Sequence, residues 1–351
     1  MGPPPWRRRR RHGLQPAGEI LLVAVAALLV AALVNVDALV ERAERKPLGP
    51  TRDLSLAIWH PVQDVAHVLQ LHRIRQLGDW VAGSDETAPT TPPTTVPDDG
   101  GPTRTLPPRP ELRPPTAAAP LRLWVGGDSI VRDVSESVLR LAADDPLLSP
   151  VAHYEISSGL TRPDYFDWPA ALAADMAATD PEVVFVMFGA NDAQGIVAAE
   201  GRVFQEVSDP GWQDEYRSRV EAVMDQLRAD GRLVFWVGQP PMRDAAFDAR
   251  IAILDRIYRE AAESRPWVEF VDTVPLFGAP DGTYRDRLPG PDGSPLDLRQ
   301  GDGIHLSREG ADLLATHLLD LVAAEIEQVS PTTTATTAPT AATTTTATAS
   351  G

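Results

Sequence analysis

The chain has 351 residues, a formal net charge of −17 and no cysteine, and Lys46 is the one lysine among its 32 basic residues. Without cysteine there are no disulfides, thiolate metal sites or thiol nucleophiles. Without a lysine after position 46, Schiff-base catalysis, a Ser–Lys dyad and a Walker-type phosphate loop are excluded, and the acidic balance argues against nucleic acid as a partner.

Arg7 to Arg11 form a basic head within residues 1–17, followed by an apolar run from Ile20 to Val34 that continues more weakly to Val40. The positive-inside rule keeps such a head cytoplasmic and exports the chain beyond the apolar run. Counted to Val40, the run is long enough to span a bilayer, which predicts a transmembrane signal-anchor over 18–40. Cleavage near Val36-Asp37-Ala38, giving a secreted protein, is the alternative. The Arg10-Arg11 pair alone is a weak twin-arginine signal. Residues 41–86 read as a juxtamembrane helical stalk. Leu54, Ile58, Val62, Val65, Leu69 and Ile74 stand near helical spacing over 53–81, and Pro61 is expected to break or kink the pattern. His60, His67 and His72 lack metal-type spacing and read as bystanders of a solvated spacer.

Residues 87–119 hold 10 Pro and 8 Thr, and residues 331–351 hold 11 Thr and 6 Ala. Neither stretch can bury enough apolar surface to offset the entropy of ordering it, so they predict a disordered linker and a disordered tail. At about 3.1 Å per residue the linker could reach on the order of 100 Å. What remains, residues 120–330, is one domain with room for a full core.

That domain alternates short apolar runs with amphipathic ones. Strands are expected at Leu121–Val125, Val151–Ile156, Val183–Phe188, Leu233–Val237 and Val268–Val271. Helices are expected at Asp133–Ala143, Pro169–Ala177, Glu215–Ala229, Ala245–Ala262 and Arg308–Gln328. The alternation implies an α/β domain with a parallel sheet covered on both faces. Ligands bind such sheets beyond the carboxyl ends of the strands. The loops to inspect are therefore Gly126-Gly127-Asp128-Ser129, Ser157-Ser158-Gly159-Leu160, Gly189-Ala190-Asn191-Asp192, Gln239-Pro240-Pro241-Met242-Arg243 and, before the last helix, Asp302-Gly303-Ile304-His305.

A serine hydrolase needs a nucleophile, a base, a group that orients the base and donors for the oxyanion. The domain offers three histidines. His317 lies within the last helix beside Leu314 and Leu318 and reads as a packed residue. His153 is expected at the entry of the second strand, the wrong edge of the sheet. His305 remains, with Asp302 three residues earlier able to fold back on its Nδ1–H. Ser129 follows a buried strand and opens a helix, where its own N–H can face an anion. Gly159 can bring a bare N–H close, and Asn191 offers a side-chain amide. Asp128 reads as a turn carboxylate, and Asp192 as a local brace of the Asn191 loop.

Gly127-Asp128-Ser129, Gly159, Gly189-Ala190-Asn191-Asp192 and Asp302-Gly303-Ile304-His305 resemble the four blocks of the SGNH (GDSL-type) hydrolases, in the family's order. The resemblance implies a three-layer flavodoxin-like fold with a five-stranded parallel sheet of order 2-1-3-4-5. It implies Ser129 as nucleophile, His305 as base and Asp302 as its orienter. It also implies Ser129 N–H, Gly159 N–H and Asn191 Nδ2 as the oxyanion hole, with no metal or other cofactor. Segments 158–164 and 189–194 are similar to a membrane-anchored bacterial branch of that family. Ile130 stands where the family motif has Leu, a volume-conserving exchange.

The expected activity is that of an extracytoplasmic, membrane-tethered esterase acting on acyl esters of cell-envelope glycans, O-acetyl above all. Acyl transfer through the same triad is the alternative. A non-catalytic envelope-binding module and a metallophosphoesterase built on Asp128, Asn191, Asp302 and His305 are more distant ones. Arg162, Asp164, Trp168 and Arg243 flank the loops and are expected to contact substrate.

Overall fold

The structure is a computed structural model that describes residues 35–44, 46, 49–68, 107–290 and 293–329, together with Leu21, Val25, Ala32 and Leu33. The basic head, most of the 18–40 anchor, stalk residues 69–86, linker residues 87–106 and the 331–351 tail lie outside the described residues. Among the described residues no helix is long and apolar enough to cross a membrane.

Two helices come first, α1 (Val36–Glu44) and α2 (Pro50–Val68). Val36 and Val40 are buried against Leu33, Leu56, Trp59 and Val62, so the two helices share an apolar seam. Pro61 was expected to break or kink this segment; it sits inside α2, which is not broken there. Proline removes one helical hydrogen bond; the flanking Trp59 and Val62 are held by the seam, and the helix continues through it.

The elements of the domain then follow in order: β1 (Leu121–Gly127), α3 (Ser129–Leu141), β2 (Leu148–Tyr154), α4 (Trp168–Thr179), β3 (Val183–Met187), β4 (Ile196–Val197), β5 (Val203–Phe204), α5 (Pro210–Gln226), β6 (Leu233–Val237), α6 (Ala245–Glu263), β7 (Val268–Val271), α7 (Val274–Phe277), β8 (Arg287–Pro289), β9 (Pro295–Asp297) and α8 (Arg308–Val329). The main sheet runs β2-β1-β3-β6-β7, and every pair in it is parallel. Counting only its own strands, this is the 2-1-3-4-5 order of an SGNH-type domain. The chain moves outward from β1 to β2 and then returns past β1 to β3. Right-handed crossovers therefore send α3 to one face and α4, α5 and α6 to the other. In keeping with this, α3 packs on α8, while α5 packs on both α4 and α6.

The central strands β3 and β6 are buried along their whole length, which is why they read as unbroken apolar runs. The edge strand β2 departs from expectation by three residues. Its pairing starts where Leu121 N donates to Leu147 O at 2.7 Å, and it includes Pro150, a residue that lacks an N–H and is tolerated at a sheet edge. Two short hairpins, β4–β5 and β8–β9, carry too few residues for any periodicity and were not expected.

The linker boundary also moves. Residues 107–119 belong to the described part of the chain, and Leu112 is 2% exposed in the main core. Arg113 forks onto Glu182 at 2.5 and 3.0 Å. The composition of 87–119 is that of a tether, but one leucine and one arginine suffice to strap its end to the domain. Leu112→Ala is expected to destabilise the folded state by about 2–4 kcal/mol, the range for a leucine lost from a packed core. Denaturant titration of the full chain measures this, and a loss below about 0.5 kcal/mol, in the range of an ordinary surface change, would place the strap outside the cooperative unit.

Candidate active site

The first site residue is presented by a tight exit from β1. Gly127 has φ +145°, and a Cβ there would lie 2.0 Å from Met187 O of the neighbouring strand, so only glycine lets the two strands stay paired at that level. Asp128 follows as the N-cap of α3, accepting from Ile130 N at 2.9 Å. Its other oxygen accepts from Gly189 N at 3.1 Å. One fully buried carboxyl thus ties the Ser129 turn to the Asn191 loop. Burial pushes it up to about 7, against the pull of the two N–H donors. This cap also explains why α3 begins at Ser129 rather than near Asp133.

Ser129 Oγ lies 2.9 Å from His305 Nε2. His305 Nδ1 lies 2.6 Å from Asp302 Oδ2. The second oxygen of Asp302 accepts from Ile304 N at 2.9 Å and His305 N at 3.1 Å. Asp302 therefore builds the turn that carries His305 and fixes the ring's tautomer, with the proton on Nδ1 and the lone pair on Nε2. Burial raises the Asp302 carboxyl, but the bonds from the His305 ring and the two N–H groups outweigh it and hold it below its usual value.

The oxyanion side is built differently. A Cβ on Gly159 would meet Asp192 Oδ1 at 2.3 Å, so the backbone there lies directly on that carboxyl. Asp192 is fully buried and accepts from Thr161 N at 2.8 Å, Thr161 Oγ1 at 3.0 Å and Tyr216 OH at 2.7 Å. Tyr216 in turn lies 2.6 Å from the Tyr258 hydroxyl. Desolvation raises the Asp192 carboxyl, opposed by these donors. Asp192 was expected to brace its own loop; its partners are instead 24 and 31 residues away, in Tyr216 and Thr161. Asn191 Nδ2 is buried and has no hydrogen-bond partner among the described residues. An orphaned buried amide costs about 1–3 kcal/mol, and this one stands in the loop that Asp128 ties to the Ser129 turn through Gly189 N, where an oxyanion donor is expected.

The four residues expected to touch substrate fare differently. Trp168 is fully buried. Its Nε1 donates to Ser158 Oγ at 2.8 Å, and its ring packs against Phe166 and Phe188. With its ring packed and its one donor engaged, it offers no hydrogen bond to a sugar. Arg162 is 3% exposed and forks onto Asp164 at 2.8 and 3.0 Å, with a further bond to Lys46 O at 3.1 Å. Asp164 also meets Arg52 of α2 at 3.3 Å. Arg162 and Asp164 therefore link α2 and the segment before it to the Gly159 loop. Arg243 is exposed, but its donors go to Gly301 O at 2.8 Å and Tyr284 OH at 3.0 Å, bracing the loop that carries Asp302.

His153 lies at the exit of β2, not its entry, because the strand runs 148–154. Its Nδ1 is 2.5 Å from Asp175 Oδ2, and its ring is edge-on to Phe166, so it faces α4. His317 is partly buried on α8. Sequence reasoning missed Tyr216, Tyr258 and Arg299. Arg299 donates to Ile304 O at 2.8 Å and to Pro241 O, fastening the histidine turn from below; burial draws its guanidinium down to about 10. Nothing in the local sequence around these three marks them. Among the described residues no group of three or more His, Asp or Glu side chains is placed to hold a metal ion.

The family described as protein of unknown function, DUF459, matches residues 122–321. No curated protein matches the chain. Among solved structures, an α/β hydrolase from the metagenome of Lake Arreo, Spain, is 17% identical with a TM-score of 0.40, over 60% of this chain and 96% of its own. An acetylxylan esterase from Geobacillus stearothermophilus is 19% identical with a TM-score of 0.38, over 59% and 94%. Both are distant, and the SGNH-type assignment rests on the strand order and the four loops.

Asn191→Ala is expected to lower kcat for a small activated ester about 100- to 1,000-fold, the effect of one lost oxyanion donor. Asp302→Asn is expected to lower it by about four orders of magnitude through the wrong tautomer. If steady-state assays show Asp302→Asn leaving kcat within about tenfold of the starting protein, or Asn191→Ala costing more than Asp302→Asn, the two roles are misassigned.

Proposed function

The chain belongs to the DUF459 family, and from that premise we propose that it is an extracytoplasmic serine esterase acting on acyl esters of cell-envelope glycans. The observation that carries the reading is the relay from Ser129 Oγ to His305 Nε2 at 2.9 Å and from His305 Nδ1 to Asp302 Oδ2 at 2.6 Å. The unpartnered Asn191 amide supports it from the oxyanion side.

In this reading Ser129 Oγ attacks the ester carbonyl carbon while its proton passes to His305 Nε2. Asp302 stabilises the imidazolium, and the carbonyl oxygen, now negative, is held by Asn191 Nδ2 and by the N–H groups of Ser129 and Gly159. The proton then moves from Nε2 to the leaving alkoxide oxygen, freeing the alcohol and leaving the acyl group on Ser129. A water gives a proton to Nε2 and its oxygen to the acyl carbon. Collapse breaks the bond to Ser129 Oγ, which recovers the proton, and the carboxylic acid departs. A glycan hydroxyl in place of that water turns the same cycle into acyl transfer.

The cellular setting comes from the sequence. The basic head and the apolar run support a domain held outside the cytoplasm on a signal-anchor, and an envelope glycan is the ester-bearing polymer such a tether would face. O-acetyl is the acyl group that location alone suggests.

The purified full chain is expected to hydrolyse an activated acetate ester in excess chelator and to be labelled by a fluorophosphonate at Ser129. Ser129→Ala abolishes both with the thermal transition nearly unchanged, since a serine in a site loop adds little to the core. Loss of activity with EDTA and recovery with a divalent ion favours the metallophosphoesterase. Glycan binding with no ester turnover by either protein favours the binding module. Protease accessibility of the domain on intact cells checks the topology.

A further inference from the structure

A cavity of about 650 Å³ lies against the Gly159 loop. Its walls are the direct continuations of the two loops that carry oxyanion donors. Leu160, Phe166 and Trp168 follow Gly159, and Val197 and Ala198 follow Asn191; Val223 of α5 closes the back. Gly159 itself lines the space, so the cavity and the acyl-bearing centre share a residue. The charged groups at its border are engaged with protein. Arg52 meets Asp164 at 3.3 Å. Arg219 bonds Glu215 at 2.9 Å, Leu160 O at 2.8 Å and Val197 O at 2.5 Å. The last two bonds fasten the walls to each other through one guanidinium.

A ligand site is a concave, mostly apolar space of some 300–1,000 Å³ with a few polar groups at fixed places. This one has that size and lining, and an acetyl group would occupy a small part of it. The polar half of a glycan ester has little to gain inside, because the walls are mostly carbon and, apart from Arg52 Nε, which lacks a partner among the described residues, the arginines at the border are engaged with protein. The apolar half has everything to gain. We propose that the cavity between the Gly159–Trp168 and Val197–Ala199 segments is the acyl pocket of the Ser129 site, and that it takes an unbranched acyl chain longer than acetyl.

The proposal rests on the esterase reading and changes only the acyl group. The catalytic steps are unaltered: the chain lies in the cavity while its carbonyl carbon is attacked by Ser129 Oγ. Each methylene that leaves water for the pocket in the transition state adds up to about fourfold to kcat/KM, the equivalent of the usual burial free energy per methylene, so a tenfold rise needs about two of octanoate's added methylenes buried.

The test uses the purified full chain and p-nitrophenyl esters from acetate through decanoate. Expected is a kcat/KM that climbs from acetate to octanoate by at least about tenfold. Val197→Trp and Ala222→Phe, which fill the space from opposite walls at solvent-accessible positions, should cut the octanoate-to-acetate ratio by a similar factor. Thermal melts report whether these variants fold. A second measurement needs no turnover: Ser129→Ala should bind a dansyl-labelled undecanoate, and Val197→Trp in that background should weaken the binding. A kcat/KM that falls steadily beyond acetate, together with no probe binding, overturns the pocket and leaves the esterase standing. Probe binding with no hydrolysis of any ester overturns the esterase reading and leaves an apolar ligand site.

Discussion

The site depends on a buried carboxyl group that performs no chemistry. Asp192 is shut off from solvent, and a buried polar group costs free energy unless hydrogen-bond partners replace the lost hydration. Three do so, Thr161 N, Thr161 Oγ1 and Tyr216 OH. Because Thr161 belongs to the loop after β2 and Tyr216 to α5, satisfying that one group draws together two segments distant in sequence. Gly159 is then pressed against the same carboxyl so closely that no side chain fits. Asp128 repeats the device one layer nearer the nucleophile, joining the Ser129 turn to Gly189. Two buried carboxyls thus position three catalytic loops.

Much of this was legible in the sequence. The buried strands β3 and β6 show as Val183–Phe188 and Leu233–Val237 because a strand covered on both faces needs apolar residues throughout. The Asp302–His305 pair was legible because a candidate base is scarce: of the domain's three histidines, one has an aspartate three residues earlier on a turn. What stayed hidden has a common cause. Tyr216, Tyr258 and Arg299 act across long sequence separations, and their neighbours look like those of any core tyrosine or loop arginine. Trp168 was read as a sugar platform because an aromatic near a site loop fits either side of a surface. Only packing decides that it faces Phe166 and Phe188. Leu112 was lost in the composition of its surroundings, since ten prolines speak louder than one leucine.

A domain without lysine builds its long-range ties from arginine, and the structure uses what arginine alone provides. Arg113 takes both oxygens of Glu182, and Arg265 takes both of Asp225 at 2.8 and 3.1 Å. Arg299 bonds two backbone carbonyls, one in the histidine turn and one in the loop after β6. A planar fork holds two acceptors in a fixed mutual geometry, whereas an ammonium holds each as a point charge.

The same property has a different meaning at Arg219, whose guanidinium spans from Leu160 O to Val197 O. The group is flat and its two nitrogens stand at a fixed separation, so while both bonds hold, the segment that follows Gly159 and the segment that follows Asn191 move as one body rather than as two loops.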